Sequence, residues 1–342
     1  MSEKRVTIYD LAKELGVSAS YISKALNNHP SVNAQVRESV RKKAFELNYK
    51  INSQAANLRL GSSRTIGVIV PHLNQSFFSD AIAGIEEICF KHDHSLIICQ
   101  SQESYFQECK AIETLIHQNV ACILISISEE TFSYTHLENI QKHNISLVQF
   151  DRCTEEINGF KVSNDNEEAA YNATKNLFEN DYKNIAFIGG PNHIAIFKHR
   201  KEGFIRAHEE SGLKIPRNFI VEDSLTAESG FKSASHLLSL KKPPDAFLTV
   251  SDNQALGILQ LAELNGIKVP EQLGIFGFAN EAFSNIIKPS LSSINQKSKE
   301  LGQEAAKIYF DLILKNKEPQ HKNYEKIIKT EVIIRESTKR RK

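Results

Sequence analysis

At 342 residues, 41% of them hydrophobic and 24% charged, the chain has room for a small module plus one large or two medium domains, with the composition of an ordinary globular protein. The net charge of +1 hides an asymmetry: residues 1–64 hold 11 Lys/Arg against 5 Asp/Glu, so a basic head precedes a body that is five charges negative. That division suits a nucleic-acid-binding end joined to a part with another partner, chance clustering being the bland alternative, and the lack of any membrane-length apolar window or apolar signal region points to a cytoplasmic protein with no membrane partner.

The head reads as short helices. Thr7, with Asp10 three residues on, marks an N-cap close to a capping box. Ile8, Leu11, Ala12 and Leu15 then line one face of a helix that Gly16 stops. Val17 begins a tight connection, Ser18 caps a second helix, and Tyr21, Ile22, Ala25 and Leu26 face inward until Asn27-Asn28-His29-Pro30 ends it. A third helix over about 35–47 repeats Val36, Val40, Ala44 and Leu47, with Arg41-Lys42-Lys43 interleaved. Residues 49–63 are polar and small, a linker with at most one weak helix.

The remainder alternates strands and helices. An apolar strand at 65–71 precedes a helix over about 78–92, and a strand at 95–99 precedes a helix over 108–118. Further apolar runs lie at 121–127, 146–150, 185–188, 246–250 and 273–278, with amphipathic stretches between them. Continuous rather than alternating apolar runs mark parallel sheets covered on both faces. About ten such units exceed one doubly wound sheet, so two lobes are expected, the first ending near 161–164, with a ligand cleft between them. The five cysteines, odd in number and mostly among apolar neighbours, read as free thiols in a reducing compartment. No CxxC pair or HExxH occurs, so neither metal nor cofactor is expected.

Leu11 to Ser23 has the anatomy of a helix-turn-helix: a small residue where helices cross (Ala12), glycine in the turn, and Val17 and Ile22 plugging the space between helices. Ala19, Ser20 and Lys24 then fall on the outer, N-terminal part of the second helix, within reach of base edges. Lysine donates to guanine, serine pairs either way and an alanine methyl meets the thymine methyl. Ser18, Ser23, Asn27 and Arg41 suit phosphates, which position rather than specify. The competing reading is a three-helix bundle for protein contacts, with Lys24 an ordinary solvated lysine.

These residues, in order, resemble the lactose/galactose repressor (LacI/GalR) family over roughly 6–334. The match is carried by Val6-Thr7-Ile8-Tyr9-Asp10-Leu11-Ala12, by Ser23-Lys24-Ala25-Leu26-Asn27 with Lys24 where arginine is usual, and by Ala44-Phe45-Glu46-Leu47-Asn48-Tyr49. In the body it continues through Asp151-Arg152, Asp165-Asn166, Arg200-Lys201-Glu202-Gly203-Phe204 and Pro289-Ser290-Leu291-Ser292. The resemblance implies a small all-α helix-turn-helix head (1–50), a hinge (51–63) and a periplasmic-binding-protein-like α/β body of two doubly wound lobes (64–334). The lobes cross over near 162 and 290, and a frayed basic tail (335–342) follows. It also implies a homodimer on double-stranded, pseudopalindromic operator DNA, with Leu58 of the hinge wedged into the minor groove. By residues alone, that segment reads as a plain linker.

The same resemblance places a small-molecule effector, a sugar or sugar derivative by family habit, between the lobes. Phe77 and Phe78 would form an apolar wall and Arg200 would offer its planar fork to two ligand oxygens. Asp151 and Ser251 are further polar candidates at strand ends. The bland readings are core phenylalanines, helix-capping acids and a surface salt bridge for Arg200. One departure stands out: where the family has an acid after the Gly-Phe strand end, this chain has Ala279, and Asn280 or Glu281 would substitute. An enzyme is disfavoured, since the Gly189-Gly190-Pro191 loop has neither a GxGxxG fingerprint nor a P-loop Lys-Ser pair. A periplasmic receptor would account for the lobes but not for the head.

Overall fold

The computed structural model describes residues 6–49, 63–317 and 323–340. They divide into two compact units, Met1–Ser63 and Arg64–Lys342. Leu58, nearly all of the expected hinge and the last two residues of the tail lie outside the described residues.

The head contains α1 (Ile8–Leu15), α2 (Ala19–Leu26) and α3 (Ala34–Glu46). Its first turn is locked by a full capping box, with Asp10 N donating to Thr7 Oγ1 (3.3 Å) and Thr7 N to Asp10 Oδ2 (2.8 Å). Gly16 takes φ 65° at the end of α1. A Cβ there would meet nothing within 4 Å, so it is the left-handed backbone that demands glycine, not space. Ser18 Oγ accepts from Tyr21 N at 3.2 Å and starts α2. Leu11, Ile22, Ala25, Val32 and Val40 form the core. Val17 does not join it: its N–H returns to Ala12 O while its side chain stays 36% exposed. Val32, in the loop before α3, is buried in that core.

The body begins with β1 (Thr65–Val70), α4 (Ser76–Lys91), β2 (Ser95–Gln100), α5 (Tyr105–His117), β3 (Cys122–Ile125), α6 (Thr135–Lys142), β4 (Ser146–Phe150) and β5 (Phe160–Asn164). These strands make a parallel sheet in the order β11-β5-β4-β3-β1-β2, where β11 is Tyr324–Ile328 from far down the chain. Strand residues alternate between two buried faces. Ile66, Val68 and Val70 pack with α4 and with α11 (Ser298–Lys307), which runs on into π-helical turns over Ile308–Lys315; Ile69, Ile123 and Ile125 pack with α5 and α6. Helices α4 and α11 cross at backbone contact. A Cβ on Gly84 would stand 2.1 Å from Lys299 O, and one on Gly302 2.0 Å from Ala81 O.

After β5 the chain builds the second lobe: α7 (Asn166–Glu179), β6 (Ile185–Gly189), α8 (Ala195–Ser211), β7 (Ile220–Glu222), α9 (Ala227–Leu238), β8 (Ala246–Thr249), α10 (Asp252–Leu264) and β9 (Gly274–Phe276). Its parallel sheet runs β7-β6-β8-β9. The chain then returns through β10 (Ser293–Asn295) to α11 and β11, and crosses back to β12 (Glu331–Ile333), which pairs antiparallel with β10. Besides the passages near 162 and 290, there is thus a third between β11 and β12. It escapes the hydropathy pattern because β11 is an edge strand with exposed Glu325 and Lys326. Nor is the start of the basic tail frayed. Ser337 and Thr338 are buried, Ser337 Oγ donates to Ile275 O at 2.6 Å, and the Arg340 guanidinium lies 3.9 Å from the Tyr182 ring centre.

Candidate ligand cleft and DNA-reading head

Short loops leaving the C-terminal ends of strands in both lobes enclose a cavity of about 420 Å³, open to solvent. From the first lobe come Gln75, Phe77 and Phe78 after β1, and Asp151 and Arg152 after β4. The second lobe contributes Phe197 and Arg200 of α8, Ser251 and Asn253 after β8, and Phe278, Ala279 and Glu281 after β9. This is where open α/β sheets take ligands.

Of the residues expected from sequence, Phe77, Phe78, Asp151, Arg200 and Ser251 line the cavity together. Phe77 and Phe78 meet edge to face with centroids 5.0 Å apart. Arg200 is 3% exposed and forms no ion pair among the described residues, so the surface salt-bridge alternative is overturned. Its Nε donates to Asn166 Oδ1 (2.8 Å) and Nη1 to Val250 O (2.9 Å), and its guanidinium lies 3.6 Å from the Phe278 ring centre. Among the described residues Nη2 has no hydrogen-bond partner. Burial pulls the Arg200 pKa down to about 9. Burial likewise pushes the Asp151 carboxyl up, against the pull of Arg152 and Arg200. Asp151 sits at φ 58° with Ser126 Oγ 3.5 Å away. Ser251 also caps α10, its oxygen accepting from Asn253 N at 3.2 Å.

Asn280 is not in the cleft. Its Oδ1 accepts from Arg335 Nη2 at 2.7 Å, because Ala279 (φ 110°) and Asn280 (φ 54°) form a left-handed turn that swings Asn280 away and brings Glu281 in. Arg152, next to Asp151 in the chain, is a further lining residue that the sequence does not single out. It is buried, paired to Glu103 at 2.7 Å, and its guanidinium lies 5.9 Å from the Phe78 ring centre and 5.6 Å from that of Phe197. Adjacency to Asp151 at a strand end was the available signal. Gln75, Asn253 and Phe197 carried none.

Asp252 anchors the loop that delivers Glu281. It accepts from Glu281 N (2.7 Å), Ser284 Oγ (2.8 Å) and Ser293 Oγ (2.7 Å), yet burial raises its carboxyl from 3.8 to about 6. The folded chain holds this proton more tightly than the unfolded one. Its contribution is therefore fully present below about pH 4 and lost as pH rises through 6. At about 1.4 kcal/mol per unit, wild-type stability relative to Asp252→Asn should fall by roughly 3 kcal/mol between pH 4 and 7. Urea melts across that range would show it, and a pH-independent difference would contradict it.

In the head, Ser20 and Lys24 are exposed on α2, whereas Ala19 is half-buried against the core. Ser18 is exposed but occupied as a cap. Ser23 is half-buried, and its carbonyl accepts from the Asn27 side-chain amide at 2.9 Å. Arg41 is exposed and its Nη2 donates to Asn28 Oδ1. Among the described residues no helix is long and apolar enough to cross a membrane. All five cysteines are free, and burial raises every thiol, that of Cys89 to about 12.

A helix-turn-helix unit in one chain with a two-lobed α/β body, whose lobes enclose a polar and aromatic cleft, defines a ligand-responsive DNA-binding regulator. Residues 7–52 match the model for bacterial regulatory proteins of the lacI family, and 174–338 match a periplasmic binding protein-like domain. The chain is 30% identical over 335 residues to the HTH-type transcriptional repressor PurR of Vibrio campbellii, covering 98% of this chain and 99% of that one. It is 32% identical over 338 residues to the repressor CytR of Escherichia coli, covering 98% and 97%. Its fold superposes on the Lac repressor dimer bound to operator and the anti-inducer ONPF with a TM-score of 0.85, at 22% identity over 98% of this chain and 99% of that one. The chain belongs to the lacI family: it is a transcriptional regulator of the repressor class and not an enzyme.

Proposed function

We propose that the chain acts in the cytoplasm as a homodimeric repressor whose hold on a pseudopalindromic operator is set by a sugar or sugar derivative bound between the lobes. The observation that carries the effector reading is Arg200: a buried guanidinium with no carboxylate partner among the described residues, stacked on Phe278 and keeping one nitrogen for a ligand in a cavity walled by phenylalanine. Aromatic faces suit the apolar side of a sugar ring, while Asp151 and Arg200 offer an acceptor and a donor to its hydroxyls. Free, raised thiols fit a reducing compartment. Two heads are needed because three base-reading residues cannot specify a genomic site, whereas a palindrome doubles the readout. Closing the cleft would reorient the first lobe, from which the hinge leads to the head, and Leu58 is assigned the minor-groove wedge. Thermal-shift screening of the full chain against neutral sugars and nucleosides tests the effector reading. A ligand raising the body's melting temperature is expected, and the absence of any such ligand, or one equally effective on Arg200→Ala, would overturn it.

On the DNA side, Lys24 and Ser20 are assigned to base edges with Ala19 beside them, and Ser18, Ser23, Asn27 and Arg41 to the backbone. Lys24→Ala should cost about 1–3 kcal/mol on the preferred duplex and relax preference at one base pair. Arg41→Ala should weaken all duplexes alike. Titrations on a selected and a scrambled duplex separate the two, and equal losses on both for Lys24→Ala would refute its base-reading role.

A further inference from the structure

Helix α4 begins without a local cap. Gln75 precedes its first turn and makes no side-chain capping bond, so the first N–H groups of a 16-residue helix need acceptors from elsewhere. One comes from the other lobe. Ser76 N donates to Glu281 Oε2 at 3.2 Å, and Ser76 Oγ donates to the same oxygen. The Glu281 loop is built into the second lobe, where its own N–H donates to Asp252 at the start of α10. A single carboxylate thus spans the cleft and sits at the positive end of a first-lobe helix.

We propose that Glu281 is a latch between the lobes and a specificity-determining residue, holding the cleft closed and turning acidic ligands away in favour of neutral ones. This rests on the cleft being the effector site. The charged side chains lining the cavity are Asp151, Arg152, Arg200 and Glu281, two of each sign, and Arg152 is already offset by Glu103. A neutral polyol leaves that balance intact. A phosphate or carboxylate adds negative charge to a cavity in which the start of α4 is already taken by a carboxylate. Without Glu281 the balance shifts by one positive charge, and the start of α4 and Arg200 Nη2 are both open to an anion.

The test uses the full chain, amide hydrogen exchange of the segment spanning residues 73–80, and millimolar inorganic phosphate at ionic strength held constant with chloride. In Glu281→Ala the amides at the start of α4 should exchange about fivefold faster than in wild type, through the loss of the Ser76 amide's acceptor and the carboxylate's charge. The loop should survive the change, because its anchor to Asp252 is a backbone N–H. Glu281→Gln fills the same space and, losing only the charge, should show about a twofold effect. Phosphate should slow exchange again and raise the body's melting temperature in Glu281→Ala, but not in wild type or in the double variant with Arg200→Ala. Equal exchange in wild type and both single variants would overturn the latch, and equal protection of wild type by phosphate would overturn the selectivity. A metabolite screen that finds no cleft ligand would leave these results standing, so failure of the effector reading is distinguishable.

Discussion

Leu11→Ala will abolish binding to every duplex while the body melts as it does in wild type. Leu11 is fully buried in a cluster with Ile22, Ala25, Val32 and Val40, against which its α1 neighbours Ile8 and Leu15 are only partly buried. Removing a buried leucine side chain costs about 2–5 kcal/mol, through lost transfer energy and the cavity left behind. A head of this size has a stability of only about 3–5 kcal/mol, so most heads will be unfolded. Without α2 held against α1, Lys24 and Ser20 lose their common face and the amide groups at helix starts lose their aim. Because residues from 64 onward form a separate compact unit with their own cores, the loss stays in the head. Calorimetry should show the head's transition gone and the body's unmoved, with gel shifts blank on selected and scrambled duplexes. Retained duplex binding would contradict the assignment of DNA binding to the head.

Arg200→Ala will leave operator binding intact and uncouple it from the effector. The substitution removes the donors to Asn166 and Val250, the stack on Phe278 and the free Nη2. It also strips Asp151 of a cation that favours its charged form, so that the carboxyl rises further and becomes a poorer acceptor for ligand hydroxyls. Losing a charge-assisted bond and a neighbouring acceptor together should cost about 3 kcal/mol, a hundredfold or more in effector affinity. Lysine at this position restores charge but not the fork that grips Asn166 and Val250, so Arg200→Lys should recover little. Calorimetry with the metabolite that shifts the body's melting temperature measures both variants, and undiminished binding by Arg200→Ala would dismiss its role.

The helix-turn-helix was legible because each of its devices is local. Thr7 with Asp10, Gly16 and Ser18 act on neighbours within four residues, and the structure places all of them in those roles. Val17 was misread because periodicity does not register that a residue just past a left-handed glycine has left the helical face. The buried parallel strands announced themselves as continuous apolar runs, whereas β11, carrying Glu and Lys on a sheet edge, did not. In the cleft, Phe77, Phe78, Asp151, Arg200 and Ser251 follow strands or sit on the helix after one, where family resemblance and α/β geometry agree. Asn280 and Glu281 could not be told apart, since the choice rests on two successive positive φ angles at Ala279 and Asn280. Glu281's partner, Ser76, lies 205 residues away and is joined to it only by folding.

On the proposed function, a ligand in the interlobe cleft sets the affinity of the head for one DNA sequence. Duplexes selected from a random library by the full chain should be titrated against a scrambled duplex, with and without the metabolite found by thermal shift. An enriched pseudopalindrome bound about a thousandfold or more tighter than scrambled DNA is expected, with a change in that affinity of at least about fivefold when the metabolite is present. No enriched sequence, or an operator affinity that stays constant while the metabolite saturates the cleft, would contradict it.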